Sequence, residues 1–164
     1  MEKVRRVCWD SSCFVAILRN EAPHAEELKK IVQDAESGNL KIVVSTMAIT
    51  EVVRPAKSTA PFDRAKFESL LRDMFGAPYV TVASHSKFVA ELGRAFVWAN
   101  PGLHPHDSIH VATAVFAECE ALETADAKLI KLDGKCDKMA IRHPKFIGQQ
   151  LITGDKANEN AQGG

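Results

Sequence analysis

Apolar residues recur along this chain in two alternating rhythms. Short β-branched and aromatic runs at residues 4–9, 41–45, 79–82 and 121–124 have the character of strands. Between them, apolar residues return every three or four positions, the period of an amphipathic helix. Asp10-Ser11-Ser12 reads as a strand-to-helix turn with capping residues, followed by a short helix through Phe14, Val15, Ala16, Ile17 and Leu18. A helix over 24–37 carries Ala25, Leu28, Ile31, Val32 and Ala35 in one stripe and closes at Gly38-Asn39. Ser45 or Thr46 caps a helix through Ala48, Ile49, Val52 and Val53 that bears Glu51 and stops at Pro55. Residues 56–62 read as a loop. Asp63 opens a helix with Phe67, Leu70, Leu71, Met74 and Phe75 inward. The segment 85–100 predicts a long helix with Phe88, Val89, Leu92, Ala95, Phe96 and Ala99 inward, ended by Asn100-Pro101-Gly102. Pro105 precedes a helix built on Ile109, Ala112, Val115 and Phe116. Residues 127–132 predict a short helix and 138–142 a fifth strand.

The unbroken apolar run at 42–44 suits a strand covered on both faces. Strands alternating with helices predict an α/β fold, a three-layer α/β/α sandwich with a central, mainly parallel sheet of four or five strands. One domain over 1–148 and a polar, flexible tail over 149–164 are expected. Length agrees, since 164 residues at 46% hydrophobic suffice for one core and not comfortably for two. Lys plus Arg (21) balance Asp plus Glu (21), so no global basic field marks a nucleic-acid binder, which leaves a local patch open. Four scattered cysteines without a C-x-x-C pair suit a reduced, intracellular protein. No secretion signal or membrane-spanning run is evident, so a cytoplasmic location without a membrane partner is expected.

The chemistry lies in the acids. Asp10 and Asp126 each follow a predicted strand, Glu51 lies on the helix after the second strand, and Asp107 opens the helix leading to the fourth. In open α/β sheets such positions share the carboxyl edge, where sites form. Four carboxylates in one cleft repel one another unless a cation neutralises them. Oxygen donors select Mg²⁺ or Mn²⁺ over Zn²⁺, and such ions can activate water against a phosphodiester.

Four segments, Trp9-Asp10-Ser11-Ser12, Thr50-Glu51-Val52-Val53, Asp107-Ser108-Ile109-His110-Val111-Ala112-Thr113-Ala114 and Thr124-Ala125-Asp126, resemble the signatures of PIN-domain nucleases. The resemblance covers residues 4 to 142. It implies a catalytic, metal-binding quartet of Asp10, Glu51, Asp107 and Asp126 holding Mg²⁺ or Mn²⁺, with Ser12 and Thr124 supporting the site. It also implies RNA as substrate, and for small VapC-type members the role of a toxin, held by an antitoxin and often a homodimer. The extra length around 55–63 and after Phe146 bears on the partner more than on the site.

Arg54, Lys57 and Lys128 are candidates for RNA contact, with Lys131 nearby; solvated surface charge is the rival reading. His104, His106 and His110 flank Asp107, but without an H-E-x-x-H pattern they make a poor zinc site, and His110 reads as packing or support. A dehalogenase-like phosphatase would need an acid where Ser12 stands. No glycine-rich phosphate loop is present. The remaining alternative is a non-catalytic PIN-like module that binds RNA or protein.

Overall fold

The computed structural model describes residues 4–148; the predicted tail at 149–164 lies outside the described residues. Five strands, β1 (Arg5–Trp9), β2 (Leu40–Ser45), β3 (Val80–Ala83), β4 (Ala121–Glu123) and β5 (Ala140–Arg142), form one sheet in the order β3-β2-β1-β4-β5. Every pairing is parallel. Seven helices connect them among the described residues: α1 (Ser11–Leu18), α2 (His24–Glu36), α3 (Thr46–Glu51), α4 (Arg64–Phe75), α5 (Lys87–Ala99), α6 (Pro105–Phe116) and α7 (Ala127–Ile130).

The period of two in the strands sorts the core into two layers. Val7, Trp9, Ile42 and Val44 face a cluster with Phe14, Leu28, Ile31, Phe67 and Leu71, so α1, α2 and α4 cover that face. Cys8, Val43, Leu122 and Ile141 point the other way, into a cluster with Val111, Ala114, Leu129 and Met139 from α6, α7 and the loop before β5. This is the three-layer sandwich predicted from the alternation of elements, with all five strands parallel.

Helix starts follow the predicted capping chemistry in part: Ser45, one of the two residues predicted to cap α3, stands at its N-cap without a side-chain capping bond, its hydroxyl lying 3.0 Å from His110 Nδ1. Asp10, Asp63 and Asp126 each turn a carboxylate back onto a backbone N–H of the helix they open, at α1, α4 and α7, and Ser86 does so with its hydroxyl at α5. Two helix faces differ from expectation. Phe88, expected inward on α5, is 58% exposed, and Ala95 and Ala99 also face out. The reason is that α5 packs on α6, through Val89, Leu92 and Phe96 against Ile109 and Ala112. One helix lying on another buries a stripe narrower than a sheet would cover. Gly93 allows a close approach of the two helices, since a Cβ there would stand 2.9 Å from Ser108 Oγ. Likewise the helix predicted to run through Val53 to Pro55 ends at Glu51, and Ile49 and Val53 are exposed. Leu70 on α4 and Phe116 on α6 are exposed as well, Phe116 beside Phe88 with ring centroids 5.4 Å apart. No helix among the described residues is long and apolar enough to cross a membrane.

Candidate active site

From β1 the chain runs outward to β2 and β3, then returns to the far side of β1 for β4 and β5, which makes the β1/β4 pair the topological switch point. Connections there leave in opposite directions and open a crevice at the carboxyl ends. The register aligns Trp9 with Glu123 on one side and with Val44 on the other. One residue further along, Asp10, Ser45 and Thr124 therefore stand at one level on the rim.

Asp10 is 4% exposed and is held from three directions. Its Oδ1 accepts the Ser12 N–H at 3.0 Å and the Ser12 hydroxyl, and its Oδ2 accepts the Thr124 hydroxyl. Each hydroxyl is aimed by a backbone donor from beyond β4: Ser12 Oγ accepts Ala125 N–H at 2.8 Å, and Thr124 Oγ1 accepts Asp126 N–H at 2.9 Å. Asp126 in turn caps α7, accepting Lys128 N–H at 2.8 Å. One hydrogen-bonded net thus ties Asp10, Ser12, Thr124 and Asp126 together. Burial pushes the Asp10 carboxyl above its ordinary pKa, against the pull of the Ser12 and Thr124 donors and the nearby His110. No lysine or arginine among the described residues pairs with it.

Glu51 is the last residue of α3 and reaches the same rim from β2. Its Oε2 lies 2.9 Å from His110 Nε2. Burial would raise its pKa, but hydrogen bonds from His110 and Ser11, with the charges of His110 and His106, outweigh it and hold the group below the ordinary range. Ser11 adjoins Asp10 in sequence, so Glu51 borders the Asp10 net. Asp107 occupies the first turn of α6, half-buried, with His106 Nε2 at 3.5 Å. His106 also acts on the charge of Glu51, and His110, one turn along α6 from Asp107, bonds Glu51 directly. Among the described residues no three His, Cys, Asp or Glu side chains already form a group able to hold a metal ion.

The basic candidates divide. Arg54 lies over the Phe62 ring at 5.6 Å, and together with Arg64 and Arg72 it lines an open groove of about 780 Å³ between α3 and α4. Lys57 is drawn to Glu21, 3.2 Å away, and Lys128 is exposed beside Asp126. The cysteines are buried and unpaired; Cys8 lies well above the ordinary thiol range through its hydrogen bond with Cys119, and Cys13 through burial. Ser11 was not singled out from the sequence, and its adjacency to Asp10 was the available signal.

Fold and rim together define an α/β/α sandwich with Asp10 and Asp126 joined in one hydrogen-bonded net at the carboxyl edge of its switch point. Residues 7–135 match the PIN domain family, and the chain belongs to that family. Similar solved structures include FitAcB from Neisseria gonorrhoeae, with a TM-score of 0.58 at 13% identity over 84% of this chain and 97% of that one. VapBC2 from Rickettsia felis, bound to a DNA fragment from its promoter, gives a TM-score of 0.59 at 14% identity over 84% and 98%. VapC20 from Mycobacterium tuberculosis, a Sarcin-Ricin loop cleaving toxin, gives 0.55 at 12% over 74% and 90%. At these identities the likeness is one of fold. No curated protein matches the chain in sequence.

Proposed function

We propose that this protein is a metal-dependent endoribonuclease that hydrolyses RNA phosphodiester bonds, and that it serves as the VapC-type toxin of a toxin–antitoxin pair in the cytoplasm. The observation that carries the reading is Asp10, a buried carboxylate at the carboxyl end of the central strand that no lysine or arginine among the described residues pairs with. Burying such a charge uncompensated is costly, and the donors around it are carboxylate and hydroxyl oxygens, which fit Mg²⁺ or Mn²⁺. Asp10, Glu51, Asp107 and Asp126 would hold the ion. When bound, the ion would lower the pKa of a coordinated water and offset charge developing on the phosphate. Ser12 and Thr124 hold Asp10 by donating to both of its oxygens, which aims it and favours its ionised form against the effect of burial. Arg54, which lines a groove together with Arg64 and Arg72, would contact RNA phosphates, and Lys128, exposed beside Asp126, is a second candidate.

Mutation of Asp107 separates an enzyme from a module that only binds. Asp107→Asn is expected to lose Mn²⁺-dependent cleavage of RNA while its melting temperature stays within a few degrees of wild type. If wild type and variant degrade RNA alike, the nuclease reading is wrong; the non-catalytic alternative draws on Glu51 being turned to His110. A purely structural acid at this helix start would instead show a stability loss of about 0.3–1 kcal/mol and nothing else.

We also propose a homodimer that binds a small antitoxin. Support comes from the exposed rings of Phe88 and Phe116 and from Trp98, which is 74% exposed on α5. Light scattering at micromolar concentration should give twice the 18.0 kDa chain mass. A monomer throughout would count against the dimer.

A further inference from the structure

Three of the four rim acids stand at the start of a helix. Asp10 and Asp126 are N-caps, and Asp107 lies in a first turn, where free N–H groups and the helix dipole favour a carboxylate. Glu51 is different. It ends a helix of six residues, where the dipole disfavours an acid, so something outside α3 must hold it.

His110 is placed to do so. It lies three residues after Asp107 on α6, on the same face of the helix, and is 1% exposed. Its Nε2 is 2.9 Å from Glu51 Oε2 and its Nδ1 is 3.0 Å from Ser45 Oγ. An ionised carboxylate only accepts, so Nε2 carries the proton, and Nδ1 is left to the Ser45 hydroxyl. Ser45 is itself fully buried at the carboxyl end of β2, so both ring nitrogens are tied and the ring plane is set. The chain Ser45–His110–Glu51 links the end of β2 to α6 and returns to the end of α3. Simple packing would need neither contact.

We propose that His110, oriented by Ser45, is a positioning residue that aims the Glu51 carboxylate into the site. The proposal rests on the nuclease reading for its consequence, since an aimed Glu51 would be a better ligand for the ion. Partners of metal-binding carboxylates typically change affinity by about 10–100-fold when removed.

The test compares His110→Leu, which fills the space without a donor, with His110→Gln, which returns an N–H near the Nε2 position. Mn²⁺ affinity is measured by titration calorimetry, kcat and KM on RNA in parallel, and the Glu51 side chain is observed in crystals of each metal-free variant. Expected for His110→Leu are Mn²⁺ binding weakened about tenfold or more, a lower kcat with KM for RNA little changed, and a displaced Glu51. The glutamine variant should recover most of each. Wild-type Mn²⁺ affinity in His110→Leu, or a Glu51 that keeps its place there, overturns the proposal. If wild type itself binds no Mn²⁺, the nuclease reading fails, and the position of Glu51 in the metal-free crystals still decides the role of His110. Should the leucine variant not fold, His110→Asn, polar but too short to reach Glu51, takes its place with the same expectations.

Discussion

Replacing Asp10 by asparagine is expected to reduce RNA cleavage roughly a thousandfold, the scale of the several kcal/mol of charge stabilisation that a bound metal contributes. The same change should not harm the fold. Asparagine keeps the shape and can still accept the Ser12 N–H, while it removes a charge that is almost fully buried. The sign of the pH effect follows from the raised pKa of Asp10. A carboxyl whose folded pKa exceeds its unfolded one favours folding while protonated; that contribution is complete below the unfolded value of about 4 and is lost as pH rises through the folded value. In a chelator, above the folded value, wild type therefore carries the burden of the buried charge, and the asparagine variant should melt at the same temperature or higher. Below about pH 4 the gap should close. Mn²⁺ should invert the order, because a ligand that binds only the folded state stabilises it by mass action, and the variant has lost a ligand. Thermal melts with and without Mn²⁺, beside an RNA cleavage assay, check all three points. A variant that cleaves like wild type would remove Asp10 from the chemistry.

The parts of the site that depend on local order were legible in the sequence. An acid directly after a strand, followed by Ser11-Ser12, must cap the next helix, and the structure has it doing so at Asp10. Asp126 is the same case after β4. The sandwich was legible too, because strands and helices keep different apolar periods and their alternation leaves few topologies. What could not be read depends on which surface meets which. The α5 stripe was drawn too wide because the sequence shows an apolar face but not that its partner is a single helix, and Phe88 was placed inward on that account. The aim of Glu51 is set by His110, 59 positions away, and periodicity is silent on such a contact. Glu123 is the plainest case. Nothing in the predicted strand 121–124 marks its glutamate as buried, yet it is 0% exposed.

Glu123→Ala is accordingly expected to be the most damaging single substitution away from the rim acids. Its carboxylate accepts Trp9 Nε1–H at 2.9 Å on one oxygen and the Arg142 guanidinium at 3.1 and 3.3 Å on the other. Burial pushes its pKa up, and the Trp9 and Arg142 partners pull it back. Truncation would leave the Trp9 indole N–H without its acceptor and Arg142, only a quarter exposed, without its main counter-charge. Breaking one side of a buried ion pair costs about 3–5 kcal/mol, a large share of the roughly 5–15 kcal/mol that holds a domain folded. Urea unfolding should show the midpoint fall accordingly, and a loss under about 1 kcal/mol would mean that Glu120, 3.6 Å from Arg142, takes over the pairing. Glu123→Gln should fall between, since its carbonyl still serves Trp9. Removing both charges with Glu123→Leu and Arg142→Leu should recover much of the loss, as apolar replacements of buried pairs often do. The effect reaches the site through one bond: Thr124 N–H donates to Arg142 C=O at 3.0 Å, and the Thr124 hydroxyl holds Asp10. Loosening β5 from β4 therefore frees the residue that aims the central carboxylate, so variants at Glu123 that still fold should lose cleavage more steeply than stability.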